Sequence, residues 1–415
     1  MDENQKRIDK EKTLFEYLVR KRLFALDAGE EGIGELKGFE YNLLLKTLDF
    51  DKQIELLMKL GHMPSLVACV IKKDKVVWSH AYGYSDLAHE KAATMDTVYM
   101  LASITKTMTA TAIMQLVEKG KVSLDDDVSQ SEYVPFDLRH PRYPDKDITL
   151  RMLLAHQSGL SSNSVKNARW FFYFSLLGYP HSYFKEYFLP GGSCYCDDVW
   201  GEHMPGEGVQ YTSEGIDLAA YIVERITGQT FEDYCKANIF DTLGLSNTGF
   251  HLSEFDIDDL AVPYIFSYGD YRALPQYDIR LPGSGGARST ITDLAPYLIA
   301  HMNKGIYKGK RILHAESVEE MHRPQYPDFN DEGYQYGLGW YSKTEDGTIY
   351  SGHGGTVPGS RTVMKMREHD KVGVIFFYNR YNYFPIREHN RPVGWLERWA
   401  RDQVEKLLFK KADEF

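Results

Sequence analysis

The spacing of apolar positions changes period twice along this chain. Between Asp51 and Leu60, Ile54, Leu57 and Met58 recur on one side of a helical wheel and Gly61 supplies a stop, so a helix is expected there. Leu66 to Lys72 and Lys75 to Tyr82 are strand-like and flank Lys73-Asp74, which predicts a hairpin. The middle of the chain returns to the helical period, most clearly over Thr105 to Glu118 and Glu214 to Ile226, each followed by a terminating glycine, Gly120 and Gly228. Runs rich in β-branched and aromatic residues reappear at Tyr336 to Ser342, Thr348 to Ser351, Arg361 to Arg367 and Lys371 to Tyr378. An amphipathic helix from about Val393 to Leu408 closes the pattern.

The simplest assembly is an α+β fold in which one antiparallel sheet is made from both ends of the chain, flanked by helices, with a mainly helical domain inserted in the middle. The boundaries expected are a helical extension at 1–48, where Leu14, Phe15 and Leu18 lie at helical spacing, a sheet-and-helix domain at 49–100 and 275–415, and the helical domain at 101–274. One stretch of the helical domain, 168–206, is crowded with aromatic residues, among them Trp170, Phe171, Tyr183, Phe184, Tyr187, Phe188 and Trp200. It can form a lid or acyl pocket beside a cleft, or a satellite core or dimer contact.

With 415 residues, 43 % of them apolar, the chain can bury a sizeable core. Its net charge of −11, with no basic block, excludes nucleic acid as an expected partner. The charged first 26 residues lack a signal-peptide core and no run approaches a membrane span, so a soluble, cytoplasmic protein is expected. The four cysteines, Cys69, Cys194, Cys196 and Cys235, are too sparse for a disulfide framework and are expected as reduced thiols. Cys194 and Cys196 precede Asp197, Asp198 and His203, but C-x-C departs from zinc spacing, and packing in a loop is the expected role. No metal and no cofactor is expected.

Ser103 and Lys106 lie three apart at the start of a strong helical pattern, which puts both side chains on nearly the same face. A serine there sits at the positive end of the helix dipole, beside free backbone N–H groups that can stabilise an oxyanion, and a neighbouring lysine can take its proton. The bland alternative is a helix-capping serine and a solvated lysine. S-x-x-K is short enough to occur by chance about once or twice in such a chain, and it does recur at Ser182 and Lys185, without a comparable helix after it.

The order of further motifs separates these readings. Tyr211-Thr212-Ser213 precedes a second helix, and Ser351-Gly352-His353-Gly354-Gly355 closes a strand before the last hairpin. S-x-x-K, then Y-x-N, then K-T-G or H-x-G resembles the serine β-lactamase and penicillin-binding-protein family, including class C β-lactamases, DD-peptidases and related (family VIII) esterases. Leu153-Leu154-Ala155-His156-Gln157-Ser158-Gly159-Leu160, Gly285-Gly286-Ala287-Arg288-Ser289-Thr290 and Tyr336-Gly337-Leu338-Gly339-Trp340 look like the same family, so that the resemblance spans roughly 50 to 408.

The resemblance implies a covalent acyl-enzyme. Ser103 would be the nucleophile, Lys106 and Tyr211 would share the proton handling, and the backbone N–H groups of Ser103 and Thr356 would form the oxyanion hole. Ser213, His353, Gly354 and Gly355 would line the substrate. The chain departs from the pattern twice: Ser213 stands where the family has asparagine, and His353 stands where β-lactamases place a lysine. A neutral imidazole is a poor partner for the carboxylate of a penicillin, which favours a D-amino-acid-type peptidase or a carboxylesterase on a small-molecule, short-peptide or ester substrate. The alternative is a protein on the same fold that binds peptide or β-lactam without turnover. His156 is expected to be a buried loop histidine, while Arg361 either binds a substrate carboxylate or starts an exposed strand. The oligomeric state is open. An α/β-hydrolase is excluded, because no G-x-S-x-G occurs.

Overall fold

The computed structural model describes residues 45–161, 183–279, 281–326, 333–382, 387–388, 391–392 and 395–415. They fall into two compact units, one drawn from 1–62 and 385–407, the other from 63–384 and 408–415. The first unit contains helix α1 (Phe50–Gly61). Its N-cap Asp49 accepts the backbone N–H of Lys52 at 3.0 Å, and Ile54, Leu57 and Met58 are buried. The helix runs one residue past its expected stop: Gly61 is still helical, and His62 takes the left-handed cap with φ of 51°. Almost all of the helical extension expected at 1–48 lies outside the described residues.

The second unit is built on an eight-stranded antiparallel sheet. Strands β1 (Ser65–Lys72) and β2 (Lys75–Asp86) form the expected hairpin, extended by β3 (Lys91–Ala92), while β4 (Tyr99–Met100) and β5 (Arg288–Ser289) pair separately. Late in the chain come β6 (Gln335–Tyr336), β7 (Tyr341–Glu345), β8 (Thr348–Val357), β9 (Ser360–Arg367) and β10 (Val372–Tyr378). The strand order is β6-β7-β8-β9-β10-β1-β2-β3, so the two ends of the chain meet where Val67 pairs with Phe377 and Ile71 with Gly373. The joint strands β1 and β10 are buried almost throughout.

Four longer helices follow α1 in chain order: α2 (Thr105–Glu118), α3 (Glu214–Thr227), α4 (Ile291–Met302) and α5 (Trp395–Lys411). Both α2 and α3 have the limits their periodicity predicts, to within a residue. Helix α4 lies on the sheet, where Leu298 Cδ2 and Met302 Sδ would stand 2.9 and 3.0 Å from a Cβ at Gly373. Near the end of α5, Phe409 packs against Tyr350 with ring centroids 5.0 Å apart.

Two strand expectations are corrected. Tyr336 to Ser342 is not one strand but a hairpin, turned by Gly337 to Trp340, where the Gly337 N–H donates to the Trp340 carbonyl at 2.9 Å. Gly339, with φ of 68°, lies where a Cβ would come within 2.6 Å of the Lys106 carbonyl oxygen, so the turn packs on α2 only as glycine. The run Thr348 to Ser351 continues to Val357, because β9 supplies partners for the glycine-rich segment that weak strand propensity alone would not hold.

The described part of the aromatic stretch packs as core. Tyr183 and Tyr187 stack at 5.3 Å, Phe184 and Phe188 at 5.9 Å, and the Trp200 Nε1–H donates to the Phe188 carbonyl at 3.0 Å. Trp170 and Phe171 lie outside the described residues. All four cysteines are free and buried. Among the described residues no group of three histidine, cysteine or acidic side chains could hold a metal, and no helix is long and apolar enough to cross a membrane.

Candidate active site

Ser103 stands in the short 3-10 turn Ala102–Ile104 that runs directly into α2. The residue before it, Ala102, has φ of 50°, a left-handed conformation that is strained for a residue with a Cβ. Hydrogen bonds on both sides hold it there. The Thr362 Oγ1 of β9 donates to the Leu101 carbonyl at 2.7 Å, the Ser360 Oγ donates to the Met100 carbonyl at 2.9 Å, and the Leu101 N–H donates to the Ala287 carbonyl at 2.8 Å. Thr105 Oγ1 closes the turn by donating to the Ala102 carbonyl at 2.7 Å. The outcome is a half-buried Ser103 at the N-terminal end of a 14-residue helix.

Lys106, one turn on, is fully buried. Its Nζ donates to the Ser103 Oγ at 3.1 Å, the Ser213 Oγ at 3.1 Å and the Ser284 carbonyl at 2.8 Å. Three acceptors match the three N–H groups of an ammonium, so this burial leaves no donor unmatched. The hydroxyl of Ser213 is short, yet from the turn before α3 it reaches Lys106. Tyr211, two residues earlier and partly exposed, meets the lysine through its ring, with Nζ 5.1 Å from the centroid.

Two histidines back the tyrosine. His156 is buried with its ring centroid 4.3 Å from that of Tyr211, and its Nδ1 accepts the Thr212 N–H at 3.3 Å. That bond ties the loop carrying Tyr211 to the Leu153–Leu160 segment. Burial, reinforced by the nearby Lys106 charge, keeps His156 well below the usual imidazole range, so it is neutral. His353 on β8 has its ring centroid 6.2 Å from Tyr211. Its Nδ1 lies 2.7 Å from the Gly354 carbonyl; a carbonyl only accepts, so Nδ1 carries the proton. Burial first and Lys106 second push His353 down to about 3, and it too is neutral.

Strand β7 pairs with β8 only as far as Gly352, so His353 to Val357 have β9 on one side and no strand among the described residues on the other. This open edge carries Gly354, Gly355 and Thr356. The space a side chain would need at Gly355 is filled by the Leu101 carbonyl oxygen and Thr362 Oγ1, so the close approach there is made by the turn leading to Ser103 in the protein itself. At Gly354 the nearest atom to a built Cβ is the Thr362 carbonyl, 3.5 Å away. Arg361 is half-buried in β9; its guanidinium bonds the Thr356 hydroxyl and faces the Tyr381 ring at 5.6 Å.

Ser103, Lys106, Tyr211, Ser213, His353 and the β8 edge thus come together, whereas Lys185 of the second S-x-x-K is exposed on the short helix Tyr183–Phe188, and Ser182 lies outside the described residues. Sequence reasoning missed two participants. Ser284 gives its carbonyl to Lys106, and Asp217, four residues after Ser213 on α3, holds Ser284. No local signal links them, because the bonds between Asp217 and Ser284 span 67 residues of chain.

A large antiparallel sheet, an S-x-x-K turn at the head of a buried helix and an H-x-G segment on β8, where β7 no longer pairs, define the β-lactamase and penicillin-binding-protein fold. The family model described as Beta-lactamase matches residues 50–396, and the chain belongs to that family. It is similar to penicillin-binding protein 4* of Bacillus subtilis (strain 168), 27 % identical over 326 residues, covering 74 % of this chain and 66 % of the relative, and so spans a little under two thirds of that relative's length. Among solved structures it is similar to the octameric penicillin-binding protein homologue from Pyrococcus abyssi, with TM-score 0.68 and 28 % identity over 86 % of this chain and 77 % of that one. The D-amino acid amidase from Ochrobactrum anthropi SV3, at TM-score 0.66 and 21 % identity over 88 % and 99 % of the two chains, shares the fold.

Proposed function

We propose that this protein hydrolyses acyl compounds through a covalent ester on Ser103. The observation that carries the reading is the 3.1 Å contact between Lys106 Nζ and Ser103 Oγ at the head of α2. Lys106 and Tyr211 share the handling of the Ser103 proton as Oγ attacks the substrate carbonyl. The backbone N–H groups of Ser103 and Thr356 receive the negative charge on the carbonyl oxygen. As the carbonyl reforms, the leaving group takes the proton from the Lys106 and Tyr211 pair, and water activated by the same pair then cleaves the ester and restores the serine.

His353 narrows the substrate. A neutral ring whose Nδ1–H is committed to the Gly354 carbonyl offers no cation to a carboxylate at this position. The site therefore suits a D-amino-acid-type peptide or amide, or a carboxylic ester, better than a penicillin. Intact-mass spectrometry after a fluorophosphonate and after a penicillin, with turnover of a p-nitrophenyl ester, tests this in the wild type and Ser103→Ala. Adducts and turnover that vanish in the variant support the reading, whereas adducts without turnover favour a binding protein. Labelling that persists in Ser103→Ala overturns the assignment.

A further inference from the structure

A second carboxyl-based device stands behind the lysine. Asp217, buried in the first turn of α3, is bonded by both donors of one residue: the Ser284 N–H reaches Oδ1 at 2.7 Å and the Ser284 hydroxyl reaches Oδ2 at 2.9 Å. The carbonyl of that same Ser284 accepts from Lys106 Nζ at 2.8 Å. Neighbouring contacts fix the segment further, since Thr109 Oγ1 of α2 donates to the Gly283 carbonyl at 2.6 Å and the Ala220 methyl group fills the space a side chain would need at Gly283. Ser284 is thus held at three points of its backbone and side chain, and only its carbonyl is turned to the lysine.

We propose that Asp217 is a positioning residue for Lys106, acting through Ser284 to aim the lysine at Ser103 and to set how readily it accepts the serine proton. The inference rests on the reading of Ser103 and Lys106 as an acylating pair. Its logic is electrostatic as well as geometric. Burial pushes the Asp217 carboxyl up to about 8 against the opposing pull of Lys106, while Glu214 on the same helix adds to the rise. The two histidines coupled to the lysine, His156 and His353, are neutral. A protonated Asp217 keeps the clamp by donating from Oδ2 to Ser284 Oγ. Ionised, it places behind Lys106 a negative charge that Asp217→Asn cannot carry.

The test is the rate of fluorophosphonate labelling of Ser103 from pH 6 to 10 in the wild type, Asp217→Asn and Asp217→Ala, with thermal melts alongside. Asp217→Asn keeps an acceptor for the Ser284 N–H and a donor for its hydroxyl, so its rate at pH 7 is expected within about threefold of wild type. The wild-type rate should flatten near pH 8 where that of Asp217→Asn keeps rising. Asp217→Ala, which releases the clamp, should label on the order of 10-fold to 100-fold more slowly. Superposable pH profiles for wild type and Asp217→Asn, or a folded Asp217→Ala with wild-type rate, overturn the proposal. Should Asp217→Ala fail to fold, the Asp217→Asn profile decides alone. Labelling of Ser103→Ala in the same assay is the separate sign that the acylation reading itself has failed.

Discussion

The carbonyl oxygen of Leu101 occupies the space a side chain at Gly355 would need, so strand β8 and the turn that carries Ser103 meet backbone to backbone. The oxyanion hole proposed above draws one N–H from each side of this contact, and its width is therefore set by a residue with no side chain. Gly355→Ala must push the two segments apart. We expect it to cost about 1–3 kcal/mol of stability as an overpacked site and to lower kcat/KM on the order of 100-fold through misplacement of the two N–H groups. Gly354→Ala, with 3.5 Å to its nearest neighbour, should leave the melting temperature nearly unchanged. Melts and ester turnover of the two variants check the contrast, and equal behaviour would count against it.

On the proposed mechanism, Lys106 is a stability cost kept for chemistry. A fully buried ammonium has lost its hydration, and its three hydrogen bonds only partly restore it. Lys106→Met replaces it with an apolar side chain of similar length. Turnover should fall by about 10²- to 10⁴-fold, the range of a lost proton-transfer group, while the melting temperature stays level or rises. A large drop in both would show that the lysine is chiefly a structural tie.

Ser213 tests whether the short hydroxyl does the work expected of an amide at this position. It contributes one of the three acceptors of Lys106, at 3.1 Å. Ser213→Ala removes that acceptor, loosens the aim of Lys106 at Ser103 and should reduce the acylation rate about 10-fold. Ser213→Asn offers an acceptor again and should recover most of the rate. Pre-steady-state labelling of the two variants separates this from an effect on substrate binding.

Acid should destabilise the fold through its buried imidazoles. His353 is pushed down to about 3, and His156 and His301 lie well below the usual range, in each case chiefly by burial. A histidine held neutral in the folded state contributes stability that is complete above its unfolded value near 6.5 and is lost as pH falls from there toward the folded value. Each ring contributes a slope of up to about 1.4 kcal/mol per pH unit. Urea midpoints should fall between pH 7 and pH 5, and His301→Phe should show a shallower fall than wild type. Parallel curves would mean that His301 does not take part.

The helices that carry the site were legible because their signals are local. Periodicity placed α2 and α3, three-residue spacing put Ser103 and Lys106 on one face, and the order of the short motifs pointed to the family. The hairpin of β1 and β2 was equally plain, as its strands are separated by two residues. Strand ends were less legible: β8 runs through Gly352, Gly354 and Gly355 only because β9 lies alongside, and the Tyr336–Ser342 run folds back because Gly339 must clear the backbone of α2.

What surrounds Lys106 could be decided only in three dimensions. Its partners lie 107 and 178 residues away, at Ser213 and Ser284, and no local period links positions so distant. The clamp by Asp217, the contact of Leu101 with Gly355 and the neutrality of His353 depend on which segments the sheet and helices bring together and on how completely they exclude water. Sequence determines which side chains are present and the local shape of the elements that bear them. Burial, charge state and hydrogen-bond partner are properties of the packed whole, because each depends on atoms contributed by chain segments far apart.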